Sequence, residues 1–421
     1  MRVLAITSLF PHAADPQSAP FNRQQLAALG ELCELEVWGT LPWFPGKRVF
    51  VPGERGRTLI PTHERIDGLP VMHPRTPYIP RVGHALSVPL YAGALARPMW
   101  RRRDQVDVIL GSWAYPDGAA AIALGGLIRA PVVVKLHGSD INVVAARRAP
   151  QAILKRMLPR AGGIVAVSRP LAQRAEELGV PRERIHVVYN GIDRSRFRPQ
   201  VRTEARNRLG LQDNVRWLVY CGHLKRTKGI EDLMNAFVRM SRHHPDVRLA
   251  VVGDGPDRAA CDRAAASVPG RILLVGPQPH AAIPEWMAAC DALVLPSWNE
   301  GTPNVVLEAL SCGRRVVATD AGGTADLVTS HLLGELVPPR APAALAEALA
   351  RAASTPYDPD EVAAAAPAGD WRESAGALHR VLVAALDRRR RRSELGAPER
   401  VDEARAPLRA PAPGDRVRSH G

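Results

Sequence analysis

Short apolar runs that alternate with helical stretches are the feature that most constrains the fold of this chain. A strand covered on both faces is apolar throughout, and an intervening helix lets consecutive strands run parallel. The pattern therefore predicts parallel β-sheets with crossover helices. The predicted strands are Val3–Ile6, Leu35–Trp38, Val108–Gly111, Val132–Leu136, Gly163–Val167, His186–Tyr189, Trp217–Cys221, Leu249–Val252, Ile272–Val275, Ala292–Leu295 and Val316–Ala318.

A polar, arginine-rich stretch at 194–212 separates two series of these runs. A chain of 421 residues is also too long for one ordinary core. We therefore expect two α/β domains of Rossmann-like, doubly wound type, the first at 1–200 and the second at 201–370. A helix is predicted at 371–389, and the basic segment at 390–421, which has little apolar content, is predicted to be a disordered tail.

The run from Ser297 to Glu308 places two carboxylates, at 300 and 308, around a predicted helix start. Thr302 fits an N-cap and Pro303 fits the first helical position. The free amides of a helix start favour phosphate, so Glu300 beside them is expected to accept hydrogen bonds from sugar hydroxyls. Glu308 lies about two turns further on, which suits the hydroxyls of a ribose. Taken alone, the pair also fits a loop carboxylate and a solvated one.

The residues around this pair resemble the donor-site block of the family 4 glycosyltransferases, which are retaining enzymes of the GT-B fold. The block includes the spaced glutamates, Gly313 before a strand, and the Gly322–Gly323 turn after it. Further blocks follow in the order of the family; they lie at 116–118, 131–142, 167–170, 188–193 and 222–229. The early segments 10–11 and 18–25 resemble the teichuronic-acid and exopolysaccharide members in particular. The resemblance implies two Rossmann-like domains that face a cleft, with the helix at 371–389 crossing back to the first domain.

The resemblance implies that Lys228 binds the diphosphate of a nucleotide-sugar donor, because a fixed cation stabilises the negative charge of the leaving group. His223 stands where the family usually has an arginine, and a neutral histidine supplies no permanent charge. Lys225 or Arg226 is then expected to provide the second cation, or the clamp is weaker. The diphosphate site is completed at the helix start by Thr302, Asn304 and Val305.

His137 begins a stretch that matches the His-Gly-x-Asp motif of the family, which implies a contact with the transferred sugar. It is paired with Glu300 as the expected catalytic residues. A lone histidine at a strand end is more commonly a satisfied structural residue. The remaining assignments are Gly301 with Glu300 and Glu308 for the sugar and ribose, Asp117, Gly118 and Asp140 for the acceptor side, and Gly276 and Gln278 for the base side.

No metal and no cofactor are expected, because no DxD-type motif lies near the predicted site; the donor is expected to be a UDP- or GDP-sugar. Many family members have adjacent glycines in the first strand-to-helix turn, whereas this chain has Ser18-Ala19-Pro20. Contact between the first domain and the phosphate is therefore in doubt. Five cysteines without paired or metal-like spacing fit a reducing compartment and argue against a zinc site.

Positive charge is concentrated in the first half of the chain. Residues 1–200 carry 27 Lys and Arg against 15 Asp and Glu, whereas residues 201–387 carry 19 against 22. One interpretation is contact with an anionic membrane surface, helped by the apolar and basic segment at 84–103. The other is arginine usage without function. Nucleic acid is not expected, because no binding motif accompanies the charge.

These features predict a retaining glycosyltransferase that moves a sugar from a nucleotide donor to a polysaccharide or lipid-linked acceptor in cell-surface or exopolysaccharide biosynthesis. No apolar run is long enough to span a membrane. A cytoplasmic location is therefore expected, with peripheral attachment to the inner membrane face as one interpretation. The alternatives are a sugar-nucleotide epimerase or phosphorylase of the same fold, and a catalytically silent sugar-nucleotide-binding subunit. The donor base and sugar, the acceptor, the linkage and the oligomeric state are left open.

Overall fold

A computed structural model describes residues 1–16, 18–44, 60–79, 86–367 and 369–395. The strands are β1 (Arg2–Thr7), β2 (Glu34–Gly39), β3 (Leu41–Trp43), β4 (His63–Ile66), β5 (Leu69–Met72), β6 (Arg75–Pro77), β7 (Val108–Ser112), β8 (Val132–Leu136), β9 (Gly163–Ala166), β10 (Ile185–Val187), β11 (Arg216–Cys221), β12 (Val247–Val252), β13 (Ile272–Gly276), β14 (Ala292–Leu295), β15 (Arg315–Thr319) and β16 (Gly334–Val337). The helices are α1 (Pro20–Gly30), α2 (Ser87–Arg101), α3 (Ala119–Ile128), α4 (Arg148–Met157), α5 (Arg169–Glu177), α6 (Arg202–Leu209), α7 (Ile230–Ser241), α8 (Arg258–Ser267), α9 (Ile283–Ala289), α10 (Asn304–Ser311), α11 (Pro342–Ser354), α12 (Pro359–Ala365) and α13 (Trp371–Leu395).

The first half of the chain forms an eight-stranded sheet in the order β10-β9-β8-β7-β1-β2-β5-β4. Its strands are parallel except β4, which pairs antiparallel with β5. The strand order reverses at β1, whose neighbours are β2 and β7. In doubly wound sheets the loops at the carboxyl ends of the strands open into a crevice at such a reversal. The loops after β1, β7 and β8 are therefore placed to meet a ligand.

The second half forms a six-stranded parallel sheet in the order β13-β12-β11-β14-β15-β16. Here the order reverses between β11 and β14. The loops after these two strands hold Lys228 and Glu300, so the topology brings together two residues that are 72 positions apart in the chain. Both doubly wound sheets were predicted, and the structure confirms them.

Every strand predicted from an apolar run is present, and most ends agree within one or two residues. The prediction missed β3 to β6 and β16. The missed strands are short and partly exposed, and they contain polar residues, Pro and Gly. Short strands with one exposed face do not give a continuous apolar run.

Helix α13 packs against the first half, as predicted. Leu378 and Leu382 are fully buried in the same cluster as Val3 and Leu26. Gln25 Nε2 also donates a hydrogen bond to Ser374 Oγ at 2.8 Å. The predicted helix end at 389 and the predicted disorder from 390 are wrong for residues 390–395, because the helix continues to Leu395. Arginine is a good helix former and is favoured in a last turn. Residues 396–421 of the predicted tail lie outside the described residues.

The apolar side chains of the segment predicted to contact a membrane, 84–103, are mostly buried. Tyr91, Leu95 and Met99 on α2 belong to the core of the first half. Leu86 and Trp100 remain exposed, at 48% and 50%, and residues 84–85 lie outside the described ranges. Helix α2 therefore presents no continuous apolar face to a surface. Among the described residues, no helix combines the length and the hydropathy that crossing a membrane requires.

Candidate functional site

A cavity of about 290 Å³ lies where the carboxyl ends of the two sheets face each other, and we call it the cleft. Its lining residues from the first half are Phe21, Trp113, His137, Gly138, Ser139, Val143 and Asn190. Those from the second half are Lys225, Thr227, Lys228, Asn299, Glu300, Gly301, Thr302 and Asn304. The cleft thus contains seven of the predicted site residues. Both reversal points of strand order contribute to it, as the topology requires.

The second half contributes a charged wall, formed by Lys225, Lys228 and Glu300. Lys228 Nζ lies 2.5 Å from Glu300 Oε1, and their side chains are 27% and 9% exposed. A partly desolvated ion pair of this kind holds both groups in fixed positions. Each group neutralises the other. An anion that contacts Lys228 would release the carboxylate of Glu300 for hydroxyl groups.

Helix α10 begins later than predicted, and this corrects the role assigned to Thr302. The helix starts at Asn304, and Pro303 is its N-cap position without a side-chain hydrogen bond. Thr302 is not the N-cap, because its hydroxyl donates to the carbonyl oxygen of Val167 in the first half. The N–H groups of Asn304 and Val305 have no acceptor among the described residues. The start of α10 therefore retains the donors that an anion needs.

Glu308 lies outside the cleft lining and forms a second polar pair. Its Oε1 atom is 2.9 Å from His280 Nε2, and the residue is 8% exposed. His280 follows β13, so the pair lies at the edge of the second sheet. Gly276 ends β13 and Gln278 is exposed two residues later. The predicted ribose and base residues are thus adjacent to one another, and α10 links them to the charged wall.

Two side chains predicted for the diphosphate site, those of Arg226 and His223, do not line the cleft. The guanidinium of Arg226 lies over the ring of Trp298, 5.6 Å from its centroid, and Arg340 lies over the same ring at 4.3 Å. His223 is exposed, and it is likewise absent from the lining. Lys225 is therefore the cation that accompanies Lys228 in the cleft. A cation–π contact with Trp298 directs the side chain of Arg226 away from the cleft.

The first half contributes an aromatic wall, formed by Phe21, Trp113 and His137. The rings of Trp113 and His137 stack at 3.9 Å with an angle of 14°, and the ring of Phe21 lies 5.9 and 5.6 Å from them. Trp113 has φ of +79°, which is unusual for a bulky residue and is typical of functional sites. Phe21 and Trp113 were not predicted from the sequence. Their positions after β1 and β7, which are neighbours in the sheet, were the available signal.

A chain of hydrogen bonds determines the tautomer of His137. The amide nitrogen of Asn22 donates to the carbonyl oxygen of Leu9 at 2.9 Å, so the Oδ1 atom of Asn22 faces the hydroxyl of Ser112 at 3.2 Å. Because Ser112 donates its proton to Asn22, its oxygen accepts from His137 Nε2 at 2.9 Å. His137 Nδ1 is then an unprotonated acceptor. Burial, and secondly the charge of Lys135, lower the pKa of His137 well below its usual range, so the ring is neutral.

The residues predicted for the acceptor side are interior residues, and the structure corrects these three assignments. Asp140 is 1% exposed and accepts hydrogen bonds from the backbone N–H groups of His137, Gly138, Ile141 and Ala114. Asp117 is fully buried and accepts hydrogen bonds from the backbone N–H and the hydroxyl of Ser8. Gly118 is buried beside Val134, which a side chain would strike. None of the three reaches the cleft, because each serves the backbone or the packing of its own half.

Burial perturbs both of these carboxyl groups. It raises the pKa of Asp117 to about 7, against the hydrogen bonds from Ser8. It also raises the pKa of Asp140, although four backbone N–H groups favour the ionised form. A carboxyl group whose pKa is raised by burial is destabilised in its charged form. The stability of the folded protein therefore depends on pH through these two groups.

The two halves touch directly at the cleft through two glycines. A Cβ atom on Gly301 would overlap the carbonyl oxygen of His137, and one on Gly138 would lie 2.7 Å from the Cα of Gly301. Gly138 also has φ of +119°. Such close approach of two backbones requires glycine. The glycines of the two predicted motifs therefore allow His137 and Glu300 to face each other.

A buried polar network joins the two halves behind the cleft. Lys135 is 1% exposed and donates to Gln25 Oε1 at 2.5 Å and to Asn190 Oδ1 at 3.3 Å. Asn190 Nδ2 in turn donates to Asn304 Oδ1 at 2.9 Å, at the start of α10. Burial lowers the pKa of Lys135 to about 7. The network holds the start of α10 against the first half. No role was predicted for Lys135 from the sequence.

Groups of three or more His, Cys, Asp or Glu side chains arranged to hold a metal ion do not occur in the part of the chain that the structure describes. The five cysteines are unpaired. The polar groups that the cleft offers include two lysines, a carboxylate, a neutral imidazole, amide and hydroxyl side chains and helix-start N–H groups. Such a set can bind an anion beside a polyhydroxylated ring.

Two family models match the chain, one for each half. Residues 48–196 match the model described as Glycosyltransferase Family 4, and residues 215–355 match the model described as Glycosyl transferases group 1. The putative teichuronic acid biosynthesis glycosyltransferase TuaC of Bacillus subtilis is 32% identical over 358 residues, which cover 83% of this chain and 89% of that protein. D-inositol 3-phosphate glycosyltransferase 1 of Catenulispora acidiphila is 29% identical over 313 residues, which cover 69% and 74%.

Solved structures share the fold. Anabaena Alr3699/HepE in complex with UDP superposes with a TM-score of 0.64 at 21% identity, covering 94% of this chain and 100% of that one. Sucrose-phosphate synthase from Thermosynechococcus elongatus gives a TM-score of 0.64 at 19% identity, covering 94% and 99%. At these identities the likeness concerns the fold: two doubly wound halves that face a cleft.

Proposed function

Because this chain belongs to the family 4 glycosyltransferases, we propose that it moves a sugar from a nucleotide-diphosphate donor to a glycan or lipid-linked acceptor. The chain is a hexosyltransferase-type enzyme with the GT-B fold. The proposed transfer retains the anomeric configuration of the sugar. The observation that carries this proposal is the charged wall, in which Lys228 and Glu300 meet at the switch point of the second sheet. The proposed setting is cell-surface or exopolysaccharide biosynthesis, as in the relative named for teichuronic acid biosynthesis.

The donor is proposed to lie along α10. Its diphosphate would contact Lys228, Lys225 and the N–H groups of Asn304 and Val305, because a helix start and two cations are the strongest anion-binding features of the cleft. Glu300 would then accept hydrogen bonds from hydroxyls of the transferred sugar. Glu308 would accept hydrogen bonds from the ribose hydroxyls, and the base would lie toward Gly276 and Gln278. Structural neighbours that bind UDP and UDP-glucose support a UDP-type donor.

The proposed reaction needs no metal ion. Bond breaking transfers negative charge to the diphosphate, and fixed cations and N–H groups stabilise that charge without reorganisation. We propose that the acceptor attacks from the face that the diphosphate leaves, and that the leaving phosphate takes the acceptor proton. His137 is neutral and accepts through Nδ1, so its proposed role is to orient a sugar hydroxyl. Its ring is not a nucleophile in this scheme.

The acceptor is proposed to bind against the aromatic wall, because apolar ring faces suit the C–H faces of a sugar. A lipid-linked acceptor would bring the enzyme to the inner membrane face as a peripheral protein. The positive charge of the first half supports attraction to an anionic membrane. The apolar face of α2 lends no support, because its residues are in the core.

The proposal is tested by nucleotide release from a panel of UDP- and GDP-sugars, with and without membrane extract, and without added metal and with EDTA. Wild-type protein, Lys228→Ala and Glu300→Ala are compared. Release that depends on the extract, persists in EDTA and is lost in both variants is expected. Proton NMR of the glycosidic product then gives the anomeric configuration.

A matched control is Arg351→Ala, which removes a cation from an exposed ion pair with Glu335 on the surface of the second half. It should release nucleotide at the wild-type rate. Conversion of a sugar nucleotide to its epimer without transfer would contradict the proposal. So would undiminished release by Lys228→Ala, or an inverted product.

A further inference from the structure

A second cavity of about 290 Å³ lies in the first half, away from the cleft. It is lined where β8, β9 and β10 begin, at residues 130–132, 160–162 and 184, whereas the cleft lies where the strands end. Helix α13 closes it through Ala385, Arg388 and Arg389. The contact of the same helix with Gln25, at Ser374, is about 20 Å away along the helix axis. The cavity is therefore a separate site and shares no residue with the cleft.

The lining of this cavity has charge of one sign. It contains five arginines and no carboxylate. Arg129, Arg160 and Arg184 form no ion pair with any described residue. Several guanidinium cations that share one concave space repel each other unless an anion joins them. The positive charge of the cavity lining therefore favours an anionic ligand.

Backbone carbonyls hold three of these guanidinium groups in place. Arg388 donates to the carbonyl oxygen of Gly162 at 2.7 Å, Arg184 donates to that of Pro159 at 3.1 Å, and Arg160 donates to that of Arg156. A guanidinium has five N–H donors in a planar fork, so one such bond fixes the plane of Arg160 or Arg184 and leaves other donors of that group available. The floor between them is apolar and includes Ile122, Pro131 and Ala385.

Helix ends offer another explanation for the arginines. Helices α3 and α4 both end near the cavity, and cations stabilise the carbonyls of a helix end. Each helix end carries only about half a negative charge, however, so the two helix ends do not neutralise the three guanidinium groups of Arg129, Arg160 and Arg184. A purely structural role predicts that removal of the arginines lowers stability and changes no binding.

We propose that this cavity binds a phosphate group. The arginine forks match phosphate oxygens in pairs, and the apolar floor accepts the adjacent part of the ligand. This inference does not rest on the proposed catalytic function. The phosphate could belong to an anionic lipid or to a phosphorylated solute, and the two sources are separable by experiment.

The test compares a cavity variant, Arg129→Ala/Arg160→Ala/Arg184→Ala, with a control, Arg97→Ala/Arg101→Ala/Arg148→Ala. Both remove three arginines from the first half, and the control residues are exposed and form no ion pair among the described residues. The parent and both variants also carry Lys228→Met, so that the cleft does not capture the probe. The probes are inorganic pyrophosphate by titration calorimetry and phosphatidylcholine vesicles with or without phosphatidylglycerol by co-sedimentation.

We expect the parent and the control to bind at least one probe with affinities that agree within about twofold. The cavity variant should bind it at least about tenfold more weakly. Pyrophosphate binding would identify a soluble phosphate, and binding to phosphatidylglycerol vesicles alone would identify a lipid headgroup. If the triple variant fails to fold, the single charge reversal Arg129→Glu, at an exposed position, takes its place. Equal losses in both variants, or no binding of either probe by the parent, would overturn the proposal.

Discussion

The two walls of the cleft differ in whether their charged side chains face the cavity or are buried behind it. The charged wall presents Lys225, Lys228 and Glu300 to the space where a ligand would bind. The aromatic wall presents neutral rings, whereas the charged groups of the first half that lie nearest to it, at 117, 135 and 140, are buried behind it. One half can therefore stabilise a charge that changes during a reaction. The other half is suited to hold a neutral ring in position.

This difference indicates a division of labour. Electrostatic stabilisation acts where negative charge develops, which in a glycosyl transfer is the leaving diphosphate. An aromatic surface contributes area and shape with little dependence on charge. Substitutions in the charged wall should therefore change turnover, and substitutions of the buried acids behind the aromatic wall should change stability.

The largest effect is expected for Lys228→Met. Loss of the cation removes charge stabilisation of the leaving diphosphate, so kcat should fall by roughly 100- to 1000-fold, or about 3 to 4 kcal/mol. Steady-state nucleotide release measures it. Arg226→Met is the matched control from the same loop, and it should change kcat by less than about threefold, because that side chain stacks on Trp298. Similar losses of kcat in both variants would show that Lys228 in the cleft and Arg226 outside it do not differ in function.

Asp140→Ala should lower the free energy of unfolding by about 3 kcal/mol, because four backbone N–H groups lose their acceptor. Urea unfolding followed by circular dichroism measures the loss. Glu335→Ala is the comparison, because its carboxylate is in an exposed pair with Arg351 and should cost less than about 1 kcal/mol. Unchanged stability with weaker acceptor binding would restore Asp140 to the acceptor site.

Asp117→Asn should change the pH dependence of stability. The pKa of Asp117 is raised to about 7 in the folded protein from 3.8, so the folded state holds its proton longer than the unfolded chain does. Its contribution is complete below pH 3.8 and is lost as the pH rises through about 7. Between about pH 5 and 7, the variant should gain about 2 to 3 kcal/mol relative to wild type.

The measurement is urea unfolding of both proteins across that pH range. Asp107→Asn serves as the control, because Arg2 lowers the pKa of Asp107 through a hydrogen bond. That variant should show no relative gain over the same range. A difference between Asp117→Asn and wild type that stays constant with pH would show that the group titrates normally.

The smallest effect is expected for Glu308→Gln. The amide keeps one acceptor but loses the charge, so the donor KM should rise about tenfold with little change in kcat, or about 1.4 kcal/mol. Donor titrations of initial rate measure it, with Glu347→Gln on the exposed face of α11 as the control. A large fall in kcat with unchanged KM would place Glu308 at the reacting sugar instead.

Much of the fold was readable because buried parallel strands such as β9 and β14 consist of apolar residues alone. The strands that escaped, β4 and β5 among them, contain His63, Glu64 and Pro70 and resemble loops in sequence. In the site, Lys228 and Glu300 were predicted because each adjoins a recognisable turn, and the structure brings the two side chains together. The acids at 117 and 140 were misassigned, since a carboxylate after a strand has the same sequence appearance whether it faces a ligand or bonds to its own backbone. Only tertiary structure distinguishes these cases.

The division of labour between the walls is tested most directly by titrating the sugar nucleotide identified by the panel into two variants without acceptor. Lys228→Met alters the charged wall and Phe21→Ala alters the aromatic wall. The account predicts donor binding at least about tenfold weaker in Lys228→Met and within about twofold of wild type in Phe21→Ala. Donor binding that is lost in Phe21→Ala and kept in Lys228→Met would contradict it.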